Sequence, residues 1–111
     1  MEIQDRQVED VTLLILKGSI DAITSPKITE FIQAHIAKGN IKLVADLSGV
    51  DYTSSAGLRV LLGAIKETRA RSGDLRLAGV QPDVQKVLNL SGFTNILKKY
   101  DDVNSAVASY A

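Results

Sequence analysis

The sequence contains no cysteine among its 111 residues. That absence excludes disulfide bonds, thiol catalysis and zinc sites built from thiolates. Thirteen basic and thirteen acidic residues cancel, so no overall field attracts nucleic acid or an anionic membrane. The hydrophobic runs are short, the longest lying near residues 11–16, and they predict no membrane-spanning helix. The N-terminal residues do not form a basic stretch followed by an apolar one, and together with the absence of cysteine this predicts a cytoplasmic protein.

The length of the chain favours one compact domain over residues 1–111. Hydrophobic residues make up 45% of the sequence, which is typical of a folded protein with a single core. Repeats, linkers and low-complexity segments are not seen. We therefore expect a single small domain.

Strand-like and helix-like segments alternate along the chain. Strands are predicted at residues 2–7, 11–17, 41–45, 75–78 and 96–97. Helices are predicted to begin near Pro26, Leu58, Pro82 and Asp102, each after a capping or turn residue. This order predicts an α/β domain with a mixed four- to five-stranded sheet packed against about four helices.

Two loops of this predicted fold are candidates for a site. Residues 18–22 follow the second strand, and residues 46–55 follow the third. In open α/β sheets the binding loops follow the carboxyl ends of the parallel strands. The two loops therefore meet if the second and third strands are neighbours.

Three hydroxyl residues, Thr53, Ser54 and Ser55, stand at the start of the second helix. One hydroxyl is enough to cap a helix N-terminus, where backbone N–H groups lack partners. A phosphate attached to one of the hydroxyls would also lie in a favourable field there. Spacing alone leaves both interpretations open.

Signatures of enzymes are missing from the sequence. The segment 18–21 has one glycine and no lysine, unlike a phosphate-binding loop. The single histidine, His35, flanks the apolar face of the first helix and is expected to have a packing or surface role rather than a catalytic one. Asp21, Asp46 and Asp51 could gather around Mg²⁺, but loop aspartates more often bind their own backbone.

The segment DLSGVDYTSSAGL at residues 46–58 resembles the signature of STAS domains, specifically the small bacterial anti-sigma factor antagonists. The segment GSID at residues 18–21 is similar to a second signature of that family. Residues 80–84 (VQPDV) and 90–93 (LSGF) are similar to its third helix and the exit from that helix. The resemblance covers nearly the whole chain in order.

The resemblance implies a regulatory binding protein that is not an enzyme and needs no cofactor or metal. Such antagonists bind an anti-sigma factor that is also a serine kinase, and so release a sigma factor. The kinase inactivates them by phosphorylating a serine two positions before the signature glycine, which is Ser55 here, and a serine phosphatase reverses the mark. Several members have an aspartate immediately before the phosphorylated serine, where this chain has Ser54. Ser54 therefore offers a second hydroxyl and is the second candidate for phosphorylation.

The resemblance also implies a partner-binding surface. Its expected members are Asp21, Ala22, Ile23, Tyr52, Thr53, Ser54, Ser55, Ala56, Gly57, Arg59 and Val60. We expect Tyr52 and Val60 to supply exposed apolar surface, because residues 58, 60 and 61 cannot all face the core of one helix. Direct binding to nucleic acid or a membrane is not expected, and the chain is expected to be a monomer or a weak dimer.

Two other functions stay open on sequence alone. One is a constitutive STAS interaction or scaffold module, in a stress-signalling or transporter-associated complex, that is never phosphorylated. The other is a nucleotide-handling enzyme that uses the three aspartates with Mg²⁺. The identity of the sigma factor and of its signal is not contained in the sequence.

Overall fold

A computed structural model describes residues 1–92 and 94–111. Phe93, part of the last segment that resembles the STAS family, lies outside the described residues. The strands are β1 (Glu2–Val8), β2 (Val11–Ile20), β3 (Lys42–Thr53), β4 (Asp74–Ala78) and β5 (Lys99–Tyr100). The helices are α1 (Ser25–Ala37), α2 (Ser55–Ala70), α3 (Pro82–Ser91) and α4 (Val103–Ala108).

The five strands form one mixed sheet in the order β1-β2-β3-β4-β5. β1 pairs antiparallel with β2, and each later strand pairs parallel with the one before it. This confirms the predicted small α/β domain, with five strands and four helices in the described part of the chain. None of the helices in that part is long and apolar enough to cross a bilayer.

Helical periodicity explains how α1, α2 and α3 cover one face of the sheet. α1 buries Ile28, Ile32 and Ile36, which recur every four residues. α2 and α3 contribute Leu61, Ile65, Val84 and Leu88 to the same core. α4 covers the other face, where Ala106 packs with Val11, Leu13, Val44 and Ala78.

The first half of β2 is covered on both of its faces. Leu14 and Leu16 point into the large core, whereas Val11 and Leu13 point into the smaller one beneath α4. A strand buried on both faces requires a nearly continuous apolar run. The sequence of residues 11–16 has that run.

The prediction that residues 46–55 form a loop is wrong, because β3 continues to Thr53. β2 also runs on to Ile20, so most of the predicted loop 18–22 is strand as well. The two extended ends pair with each other through two register shifts. In the extension of β3, the buried residues Leu47, Val50 and Thr53 are three positions apart. The alternation of buried and exposed residues that identifies a strand is therefore lost there.

The last strand also lies elsewhere than predicted. β5 is Lys99–Tyr100, whereas the sequence predicted residues 96–97. Leu97 is apolar because its side chain is buried in the core that α1, α2 and α3 cover. The carbonyl oxygen of Ile96 accepts a hydrogen bond from Arg69 Nη2 at 2.7 Å instead of pairing within the sheet.

Tyr110 fixes the C-terminal segment beneath the sheet. Its hydroxyl oxygen lies 2.7 and 2.8 Å from the carbonyl oxygens of Leu43 and Asp74, which share its single proton. The Arg76 guanidinium lies 3.9 Å from the centre of the Tyr110 ring, a cation–π contact. These contacts join the chain end to β3 and β4.

Replacing Tyr110 by phenylalanine is expected to lower the free energy of unfolding by about 1–3 kcal/mol, because the proton that the two part-buried carbonyls share is lost. Urea denaturation measures this change. Tyr52→Phe is the matched control, since the Tyr52 side chain is exposed and its hydroxyl has no hydrogen-bond partner in the described part of the chain. An equal loss in both variants would contradict the role given to Tyr110.

Tyr110 should also make stability fall at alkaline pH. Burial, and next the nearby Asp74 carboxylate, raise the pKa of the Tyr110 hydroxyl above its ordinary value of 10.0. The unfolded chain therefore ionises first, and the stabilisation is complete below about pH 10 and is lost as the pH rises above it. Denaturation measured from about pH 8 to pH 11.5 should show this fall, and Tyr110→Phe should flatten it.

Candidate functional site

The carboxyl ends of β2 and β3 lie side by side, as the site prediction required. The Ser54 N–H donates to the Ile20 carbonyl oxygen at 2.8 Å, which joins the two ends. The Ser19 hydroxyl donates to Asp51 Oδ1 at 3.0 Å, which adds a second link. The sequence reasoning missed this second link, because it depends on the register between two strands rather than on any local motif.

The turn after β2 is organised around the Asp21 carboxylate. Asp21 Oδ1 accepts hydrogen bonds from the N–H groups of Ile23 at 2.9 Å and Thr24 at 3.0 Å. The Thr24 hydroxyl accepts from the Asp21 N–H and donates to the Ser19 carbonyl oxygen, both at 3.0 Å. The N–H of Thr24 is the main cause of a lowered pKa for Asp21, so the carboxylate is charged at neutral pH. The turn holds the Ile23 side chain outward, where it is 87% exposed.

The three hydroxyls at the start of α2 have three different surroundings. Ser54 is the N-cap, and its hydroxyl oxygen accepts from the Gly57 N–H at 3.3 Å. Thr53 is 1% exposed and faces the interior. Ser55 is the first helical residue and is exposed, and its side chain has no hydrogen-bond partner among the described residues. Capping therefore uses Ser54 and leaves Ser55 accessible.

Gly57 allows α2 to begin against the ends of β2 and β3. A Cβ atom at this position would lie 2.4 Å from Ile20 Cγ2 and 2.4 Å from Thr53 Oγ1. Such distances are far inside van der Waals contact, so any side chain would push the helix start away. The glycine thus determines where Ser55 stands.

Not all of the expected partner-contact residues reach the surface. Thr53 and Gly57 are buried, so they shape the helix start and cannot contact a partner through their side chains. Val60 is half-buried and packs against the large core, so it offers less apolar surface than expected. The exposed members are Ala22, Ile23, Tyr52, Ser55 and Arg59, and the half-buried ones are Asp21, Ser54 and Ala56.

The three aspartates that the sequence offered as magnesium ligands, Asp21, Asp46 and Asp51, bind protein groups separately. Asp46 Oδ1 accepts from the Ser48 N–H at 3.0 Å, while Asp21 binds its own turn and Asp51 binds Ser19. In residues 1–92 and 94–111, no three His, Cys, Asp or Glu side chains are grouped so as to hold a metal ion. Asp21 and Asp46 thus bind nearby backbone N–H groups, as aspartates beside turns usually do, and Asp51 binds a hydroxyl.

His35 lies on the side of α1 that faces β1. Its Nε2 is 2.8 Å from Asp5 Oδ2, and its Nδ1 is 3.0 Å from the Asn40 side-chain nitrogen. The Phe31 ring packs edge-on at 5.2 Å between ring centres. These contacts give the histidine a structural role between α1 and the edge strand.

Ser54→Ala is expected to lower the free energy of unfolding by about 1 kcal/mol, because α2 loses its N-cap. Ser55→Ala, one residue further on, should leave stability within about 0.5 kcal/mol of the wild type, since it removes no hydrogen bond. Denaturant unfolding of the two variants side by side measures the difference. Equal losses would show that Ser55 also supports the fold.

Comparisons with known proteins agree with this architecture. The family model of the STAS domain matches residues 2–106. The anti-sigma-B factor antagonist of Listeria monocytogenes is 33% identical over 98 residues, covering 88% of this chain and 85% of that protein.

Solved structures give the same fold. A crystal structure of an anti-sigma factor antagonist from Mycobacterium paratuberculosis superposes with a TM-score of 0.85 at 23% identity, covering 97% of this chain and 92% of the other. The Bacillus cell fate determinant SpoIIAA in its phosphorylated form superposes with a TM-score of 0.76 at 20% identity, covering 99% and 100%. Because the family model matches nearly the whole length of this chain, the chain belongs to the STAS domain family.

Proposed function

We propose that this protein is an anti-sigma factor antagonist that binds an anti-sigma factor kinase and is switched off by phosphorylation of Ser55. The observation that carries the proposal is the Ser55 side chain, which is exposed and unbonded at the first position of α2. It lies in the part of the surface where Tyr52 is 50% exposed and Ile23 is 87% exposed. Large apolar side chains exposed beside a modifiable hydroxyl favour a docking surface over a catalytic site.

A phosphate on Ser55 would act between molecules rather than within the domain. It adds about −1.5 to −2 charges at neutral pH. At a helix N-terminus an exposed negative charge is favourable by about 0.3–1 kcal/mol, so the modified domain stays folded. In the middle of a docked surface the same dianion meets desolvation and steric conflict. A loss of about 3–4 kcal/mol of binding weakens affinity several hundred-fold.

Ser54 is the weaker candidate for the phosphate. Its hydroxyl oxygen accepts the Gly57 N–H and its side chain is only half-exposed. Modification there would remove the N-cap and unsettle the start of α2. Ser55 can be modified without breaking any hydrogen bond of the described structure.

The names of the relatives support the same role. The Listeria monocytogenes relative is an anti-sigma-B factor antagonist, and SpoIIAA was solved in a phosphorylated form. By analogy, the partners of this chain are an anti-sigma factor that is also a serine kinase and a serine phosphatase that restores binding. All three proteins would work together in the cytoplasm.

The decisive experiment measures binding to purified anti-sigma factor kinases from the organism that encodes this chain. Ser55→Asp is expected to bind several hundred-fold more weakly than the wild type, because the carboxylate introduces charge into the contact. Ser55→Ala should bind like the wild type. Calorimetric titration gives the affinities, and mass spectrometry after incubation with kinase and ATP should show one phosphate on the wild type and none on Ser55→Ala.

Ser72→Asp is the matched control, since Ser72 is exposed just beyond the opposite end of α2. Its backbone has a φ of 67°, which aspartate tolerates. This control should bind like the wild type. If Ser55→Asp retains full affinity and no phosphate is added, the chain is a constitutive interaction module instead.

A further inference from the structure

Gly63 is a glycine that the fold does not need. It is exposed in the middle of α2, and a Cβ atom there would meet no atom within 4 Å. The other seven glycines have either a positive φ or a neighbour within 3.4 Å of such a Cβ atom; they are Gly18, Gly39, Gly49, Gly57, Gly73, Gly79 and Gly92. Because glycine in a helix interior is less stable than alanine, Gly63 lowers the stability of α2 without any benefit to packing.

Gly63 borders a shallow depression between α1 and α2. The depression has a volume of about 70 Å³ and is lined by Thr29, Ile32, Gln33, Val60, Gly63 and Ala64. None of these lining residues is charged, and Ile32 and Ala64 are buried at its floor. Sites for metabolites usually measure about 300–1,000 Å³, so the depression has room only for one small apolar side chain.

The depression continues the surface that carries Ser55. Ser55, Arg59 and Gly63 follow one another at intervals of four residues and so lie along one face of α2. α1 and α2 both begin at the edge of the sheet where β2 and β3 end. At the far side, the Gln33 amide donates to Glu67 Oε2 at 2.6 Å and bridges the two helices. The depression is thus adjacent to the proposed docking surface. Its opposite side is closed by the bridge between Gln33 and Glu67.

We propose that the partner protein that docks over Ser55 also places a small apolar side chain in this depression, and that Gly63 keeps the depression open for it. This inference rests on the proposed function and extends the docking surface by two turns of α2, about 12 Å. The lining residues offer no charge to pair with a charged side chain, and the Glu67 carboxylate at the rim is bonded to Gln33. The small volume limits the occupant to a residue such as alanine or valine.

The test compares Gly63→Ala and Gly63→Leu with Ala70→Leu, which adds bulk at an exposed position two turns further along α2. Gly63→Ala should raise the thermal unfolding midpoint by about 2–6 °C, since alanine favours the helix. Gly63→Leu should weaken binding to the anti-sigma factor kinase by about tenfold to a hundredfold, because its side chain fills the depression. Ala70→Leu should bind like the wild type.

Each outcome decides the inference. A lower unfolding midpoint for Gly63→Ala means that the glycine serves the fold, and wild-type affinity for Gly63→Leu means that the partner does not enter the depression. Either result overturns the inference while leaving the Ser55 switch intact. A wild-type chain that binds no anti-sigma factor kinase overturns the proposed function and the inference together. Weakened binding by Gly63→Leu but not by Ala70→Leu, together with a stabilised Gly63→Ala, supports the proposed function and the inference.

Discussion

The contact of Gly57 with Ile20 and Thr53 sets the geometry of this domain at the start of α2. The chain crosses from β2 to α1 and from β3 to α2 at the same edge of the sheet, and the start of α2 packs where no Cβ atom fits. The hydrogen bond from the Ser54 N–H to the Ile20 carbonyl oxygen fixes the same junction from the backbone. Because no side chain fits between Gly57 and its neighbours, the position of Ser55 follows from packing.

The opposite end of the sheet contains the buried charge of the molecule. The Asp74 carboxylate is 5% exposed and pairs with Arg69 Nε at 2.9 Å and Arg76 Nε at 3.1 Å. Removing one partner of a buried ion pair is strongly destabilising, because the remaining charge is left uncompensated. The end that carries Ser55 has no comparable pair in the described residues, and its aspartates bind backbone and hydroxyl groups. The buried ion pairs and the proposed docking surface therefore lie at separate ends of the sheet.

Local patterns in the sequence were sufficient for most of the fold. The isoleucines of α1 recur at helical intervals, the prolines stand at the starts of α1 and α3, and Gly92 ends α3 in a left-handed conformation. The extension of β3 to Thr53 could not be predicted, since it results from pairing with β2 across two register shifts. Leu97 was assigned to a strand because burial in a core and burial in a sheet look alike over two residues.

The site was predictable to the same limited extent. The helix start and its three hydroxyls could be located from sequence, and so could the convergence of the two strand ends. Which hydroxyl caps, which is buried and which is exposed depends on how Ile20 packs against Gly57, a contact between residues 37 positions apart. Sequence patterns describe neighbours along the chain, whereas this assignment is made by neighbours in space.

The turn that follows β2 has a consequence for how such domains diversify. Its hydrogen bonds link Ser19, Asp21, Thr24 and Ser25 to one another within a few residues, so the turn keeps its shape largely without help from the core. The Ile23 side chain that it presents contributes almost nothing to folding. Under the proposed function, substitutions at position 23 would therefore change recognition of the partner while leaving the hydrogen bonds of residues 19–25 in place.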